Sequence, residues 1–165
     1  MGTPRLSRRA LLFGRGPEQA PARIRVLPPW ADADAFATRC TGCNDCVTRC
    51  PEQVLVLREG RAEFDPARGE CTFCGDCVDA CATGALHREN PAEQHVATVA
   101  GTCLPAHGVV CASCRDVCPT RAIQLSLGAR KAAQIDADAC TGCGACVAVC
   151  PVSAVSLHFR EGACA

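Results

Sequence analysis

The chain has 165 residues, 17 of them cysteine, and its basic and acidic side chains balance to a formal net charge of zero. With five Phe, one Trp, one Met and no Tyr, it lacks the large side chains from which an apolar core of this length is normally built, so burial alone cannot hold it together. No stretch approaches the roughly 18 consecutive apolar residues of a membrane-spanning helix, which excludes a transmembrane segment of that kind.

Residues 1–35 read as a leader rich in Arg, Pro and Gly that closes on Pro28-Pro29-Trp30. Over its first 25 residues Arg5, Arg8, Arg9, Arg15, Arg23 and Arg25 face only Glu18. Such a stretch can meet nucleic acid or lipid headgroups, but arginines spread along a leader are more often a solvated tail, and no nucleic-acid partner is expected. Ser7-Arg8-Arg9-Ala10-Leu11-Leu12-Phe13 resembles a twin-arginine export motif. The apolar run stops at Gly14 and is followed by Arg15, Gly16, Pro17 and Glu18, whereas a working signal needs an apolar region of roughly 7 to 15 residues. The expected location is the cytoplasm, where thiols stay reduced.

Four cysteine motifs follow. The first is Cys40-Thr-Gly-Cys43-Asn-Asp-Cys46-Val-Thr-Arg-Cys50-Pro51. Behind it, Val54-Leu55-Val56-Leu57 and Arg61-Ala62-Glu63-Phe64 flank Gly60 and predict a hairpin. The second motif is Cys71, Cys74, Cys77 and Cys81, with Ala82 where the others have proline. The link to the third carries Pro91 and no hairpin pattern. That third motif, Cys103, Cys111, Cys114 and Cys118-Pro119, has seven residues instead of two after its first cysteine. Next, Ile123 to Leu127 alternates, turns at Gly128 and returns through Ala132 to Ile135, predicting a second hairpin. The fourth motif is Cys140-Thr-Gly-Cys143-Gly-Ala-Cys146-Val-Ala-Val-Cys150-Pro151. Cys164 stands alone near the end and reads as a free exposed thiol.

Cys-x2-Cys-x2-Cys-x3-Cys-Pro is the bacterial ferredoxin run for 4Fe-4S clusters, in which the fourth cysteine ligates the other cluster of a pair. Three cysteines at intervals of three can wrap one loop around three corners of a cubane, while the fourth points away from it. Disulfide frameworks belong to secreted chains, and zinc sites use separated Cys pairs rather than runs of four ending in proline. All sixteen motif cysteines are therefore expected to bind iron, giving four clusters by motif count or three if the third motif is empty. Cluster binding is then folding free energy, and the metal-free chain is expected to be largely unfolded. Cluster ligands are thiolates, so the loaded protein is acidic despite its formal neutrality.

Only the first and last links between neighbouring motifs carry hairpins, so motif one pairs with two and three with four. The expected fold is α+β and ferredoxin-like: two tandem two-cluster modules, residues 36–90 and 91–165, with short hairpins and helices. Nesting one pair inside the other is the alternative, because the inter-motif gaps are nearly equal. Under tandem pairing Cys40, Cys43, Cys46 and Cys81 hold one cluster, and Cys71, Cys74, Cys77 and Cys50 the next. Cys140, Cys143, Cys146 and Cys118 hold the third, and Cys111, Cys114, Cys150 and Cys103 the last. Cys103 is the least regular ligand, because Leu104 to Val110 must loop it back. His107 in that insert could substitute, but a solvated loop histidine is the plainer reading. His87, His95 and His158 show no ligand spacing.

The chain has no nucleophile–base pair, no phosphate-binding glycine loop and no dinucleotide fingerprint, so it is not read as an enzyme. The leader Ser7-Arg8-Arg9 with Leu11-Leu12-Phe13-Gly14-Arg15, then Pro28-Pro29-Trp30, then four motifs of which the third carries the long spacing, closely resembles the NapF family of ferredoxin-type proteins. That resemblance implies a cytoplasmic iron–sulfur accessory protein of the periplasmic nitrate reductase system. It further implies association with the catalytic subunit NapA and help in NapA's maturation before export, by electron transfer or cluster assembly. The alternative is an electron-transfer subunit of a membrane-associated oxidoreductase.

Overall fold

The computed structural model describes residues 25–126 and 130–160. The twin-arginine-like stretch, the arginines before Arg25, the turn glycine Gly128 and the lone Cys164 lie outside them.

Short elements alternate with the cysteines. In chain order they are α1 (Phe36–Arg39), α2 (Asp45–Arg49), β1 (Leu55–Arg58), β2 (Arg61–Phe64), α3 (Asp76–Asp79) and β3 (His95–Val99). A 3-10 turn (Leu104–His107) leads to α4 (Ser113–Asp116), β4 (Ile123–Gln124), β5 (Gln134–Ile135), α5 (Ala145–Ala148) and β6 (Val155–Phe159). One-turn helices are far too short to persist alone, so their contacts must hold them. The helices α2, α3, α4 and α5 each carry the third cysteine of a motif, and all four of these, Cys46, Cys77, Cys114 and Cys146, are buried.

A common backbone path ends each motif. The N–H groups of Cys50, Cys81, Cys118 and Cys150 donate to the carbonyls of Val47, Val78, Arg115 and Val147, closing the helix on the fourth cysteine. Three residues later Gln53, Gly84, Arg121 and Ser153 donate back to those cysteine carbonyls, and all four adopt positive φ, between 49° and 67°. Only Gly84 enters that region without strain. The path is therefore intact in the second motif, which lacks the proline, and in the third, which carries the insert.

Both expected hairpins are present. Leu55 pairs with Phe64 and Arg58 with Arg61 in β1–β2, and Ile123 with Ile135 in the shorter β4–β5. A third two-stranded sheet was not expected: β3 pairs antiparallel with β6, from His95↔Phe159 to Val99↔Val155. It joins the segment before the third motif to the segment after the fourth. The counterpart in the first half is a single antiparallel bridge, Ala31↔Leu86. Each half thus has an inner hairpin between its motifs and an outer pairing that clasps its two ends, which agrees with tandem rather than nested pairing.

Residues 25–35 are packed against the first half. Pro28 and Pro29 are fully buried. Trp30 stands edge-on to Phe73, with ring centroids 6.2 Å apart. The Trp30 carbonyl accepts from the His87 N–H and, at 3.0 Å, from Asn90 Nδ2, while the Ala31 carbonyl accepts from Gln94 Nε2 at 2.7 Å. Arg25 pairs with Glu59 and Glu63 of the first hairpin. Where the two halves meet, His95 lies between Phe64 and Phe159. Among the described residues no helix is long and apolar enough to cross a membrane.

Candidate iron–sulfur centres

Four cavities of similar size are ringed by four cysteines apiece. The first is lined by Cys40, Cys43, Cys46 and Cys81, under Leu57, Ala62 and Leu86. Cys50, Cys71, Cys74 and Cys77 line the second, with Pro29, Trp30 and Val54. The third has Cys118, Cys140, Cys143 and Cys146, against Ala97, Ile123 and Leu157. In the fourth, Cys103, Cys111, Cys114 and Cys150 share the wall with Leu104, Pro105 and Val155. Every cavity takes three thiols from one motif and the fourth from its tandem partner, because closing the helix on that cysteine turns it away from its own loop.

The long insert in the third motif is accommodated rather than excluded. Its 3-10 turn puts Leu104 and Pro105 on the cavity wall, Val110 is fully solvent-facing, and Cys103, only 8% exposed, lines the fourth cavity. His107 is not among that cavity's lining residues; its Nε2 lies 3.0 Å from the carbonyl oxygen of Gly101, just ahead of the motif, to which it donates.

The described cysteines are all free thiols. No three of the described His, Cys, Asp or Glu side chains converge closely enough to hold a single metal ion. A zinc site would bring four sulfurs to about 2.3 Å from one point. The thiols here surround a volume instead, as a cluster requires.

Burial pushes the Cys46 thiol up to about 11, with neighbouring charge on Cys40, Cys81 and Cys43 adding to it. Burial likewise raises Cys71 to about 11, and Cys77 and Cys146 to about 12. Four thiolates in so apolar a ring repel one another, and only a positively charged core makes the deprotonated set the stable form. Cys81 goes the other way: burial opposes its thiolate, but the Leu86 N–H at 3.4 Å and the Thr83 hydroxyl outweigh burial and hold the thiol below its usual range. Similar backbone donors reach sulfur from Phe73 to Cys71 at 3.4 Å and from Ala154 to Cys150 at 3.2 Å. Hydrogen bonds to cluster sulfur are one of the levers that set reduction potential.

Sequence reasoning missed the residues that wall the cavities. Pro29 and Trp30 were read as the end of a leader, yet they line the second cavity. An apolar Pro-Pro-Trp run immediately before the first motif was the available signal.

Comparison with known proteins agrees with this geometry. Residues 39–86 match one 4Fe-4S dicluster domain family and residues 108–154 a second. The first match spans motifs one and two, and the second begins after Cys103 and runs from Cys111 of the third motif through the fourth, so the chain contains two tandem dicluster domains. It is 41% identical over 142 residues to the ferredoxin-type protein NapF of Haemophilus influenzae, covering 82% of this chain and 80% of that protein. With the NapF of Escherichia coli K12 it shares 35% identity over 158 residues, 93% of this chain and 94% of the relative. The methylamine utilization ferredoxin-type protein MauM of Methylorubrum extorquens is 35% identical over 156 residues, 81% of this chain and 71% of that one. Cysteine motifs alone would align with many ferredoxins, but the two NapF matches run over 80–94% of each chain. The chain belongs to the NapF family of ferredoxin-type iron–sulfur proteins.

Proposed function

We propose that this protein carries four 4Fe-4S clusters on a ferredoxin-like fold and serves, in the cytoplasm, the maturation of NapA before that enzyme is exported. The observation that carries the cluster count is the quartet of similar cavities, each with four cysteines from two paired motifs. Bound clusters would supply one-electron transfer.

The chain's own residues hold the ligands, exclude water and set the sulfur environment. Pro29, Trp30 and Val54 shield the second set, and Ala97, Ile123 and Leu157 the third. The Leu86 N–H stabilises negative charge on Cys81, and the Ala154 N–H donates to the Cys150 sulfur. No substrate chemistry is assigned to any side chain. The role is electron delivery or cluster transfer to a partner, and NapA is supported as that partner by the family resemblance.

Two measurements test this. Iron and sulfide in anaerobically purified protein should approach sixteen of each per chain, from four irons and four sulfides per cluster. Tagged protein should capture the signal-bearing NapA precursor from the cytoplasmic fraction. Capture of mature periplasmic enzyme alone would refute the maturation role and leave a steady-state electron carrier.

A further inference from the structure

The two dicluster domains touch through cluster-ligand residues themselves. The backbone N–H of Cys71, in the second ring, donates to the backbone carbonyl of Cys143, in the third, at 2.7 Å. Each residue's own Cβ–Sγ arm leads into its cavity, so this peptide hydrogen bond joins two ligand arms without an intervening residue.

The contact is fixed on both sides. Gly144, next to Cys143, lies so close to the first domain that an added Cβ would stand 2.8 Å from Pro66 Cβ, 3.0 Å from Phe64 Cζ and 3.3 Å from the Gly69 carbonyl oxygen. With φ at +90°, Gly144 sits where other residues are strained, so this position both turns the loop and lets the domains close. His95 seals the margin, its ring centroid 6.4 Å from that of Phe64.

Within each domain the rings are also adjacent. Helix α2, carrying Cys46, packs on α3, carrying Cys77, and α4, carrying Cys114, packs on α5, carrying Cys146. The cavities therefore follow one another in a single order from first to fourth.

We propose that the Cys71–Cys143 peptide contact, clamped by Gly144 against Phe64 and Pro66, is an electronic junction that makes the two domains one continuous relay instead of two independent carriers. Tunnelling weakens steeply with distance and with each through-space gap. A hydrogen-bonded path between two ligand residues is a short bridge of this kind. With clusters held by these rings, one electron would cross at a time, the iron of one ring being oxidised as that of the other is reduced, and no bond would be made or broken. The entering electron comes from a low-potential one-electron donor. The inference rests on four-cluster occupancy, so the test separates the two.

Iron is counted first in the native chain, in Gly144→Val and in the gentler Gly144→Ala, and the dithionite-reduced proteins are then compared by electron paramagnetic resonance. With iron near sixteen per chain, the native spectrum should contain spin–spin broadening between domains, which Gly144→Ala weakens and Gly144→Val weakens further, while coupling inside each domain persists. Identical spectra at equal iron would overturn the junction. So would loss of only the third ring's iron with no change in the second ring's signal. Native iron near eight or less would instead sink the occupancy reading.

Discussion

The ring of His95 lies 6.4 Å from that of Phe64, across the boundary between the two dicluster domains, and 5.7 Å from Phe159 on its other side. It is 3% exposed, and burial pulls its pKa down to about 4. Between about pH 6.5 and pH 4 the unfolded chain therefore binds a proton that the folded chain refuses. The neutral ring's contribution is complete above about pH 6.5, is lost as the pH falls toward 4, and totals ~3 kcal/mol. His95→Leu should flatten this part of the profile. The check is the difference in thermal midpoint between native and variant at pH 7.5 and pH 5, both with full iron; equal pH slopes would contradict the assignment.

Two glycines mark equivalent close approaches. A Cβ on Gly42 would sit 2.2 Å from the Gly60 carbonyl oxygen, and one on Gly142 would sit 2.4 Å from that of His95. Backbone cannot yield as a side-chain tip can, so Gly42→Ala and Gly142→Ala should each destabilise their own domain by about 1–3 kcal/mol. Gly101→Ala, with open space around it, is the control and should be nearly neutral. Iron loss on mild heating, followed separately for each variant, reads the effect.

Cys103→Ser tests the least regular ligand. Because Cys103 lines the fourth cavity with Cys111, Cys114 and Cys150, its loss should drop iron from about sixteen to about twelve per chain and spare the first domain. His107→Ala should leave the count unchanged, since that ring is engaged with Gly101. Full iron in Cys103→Ser would remove Cys103 from the ligand set.

How much of this was legible beforehand varies with the range of the contact. The cysteine runs declare their chemistry within a dozen residues, and the strands about Gly60 announce a hairpin because both partners are local. The sheet of β3 and β6 was not legible: Val155 to Phe159 alternates cleanly, but its partner lies far away in sequence and His95-Val96-Ala97 carries no clean alternation to signal a strand. The turn residues Gln53, Arg121 and Ser153 were equally hidden, since nothing in their identity suggests positive φ. Closure of the rings imposes it on them. The approach of Cys71 to Cys143 depends on the packing of whole domains, which no local pattern encodes.

The leader is part of the fold from Arg25 onward. From sequence, deleting residues 1–30 should spare every cluster, because no motif cysteine lies there. Yet Pro28 and Pro29 are fully buried, Pro29 and Trp30 wall the second cavity, and the Trp30 carbonyl accepts hydrogen bonds from His87 and Asn90. Removing residues 1–24 should therefore leave iron near sixteen per chain, whereas removing residues 1–30 should open the ring of Cys50, Cys71, Cys74 and Cys77 to water and release its iron first. The shorter deletion also takes away Arg5, Arg8, Arg9, Arg15 and Arg23, leaving the acidic cluster-bearing body. If those arginines steer the partner, capture of the NapA precursor should weaken on the shorter deletion and, in the full chain, fall with added salt. Iron counts on both truncations, paired with pull-downs across a salt series, separate the two roles. Equal iron in both deletions would show that Trp30 does not protect the second ring, and salt-independent capture by the full chain would show that the arginines do not steer.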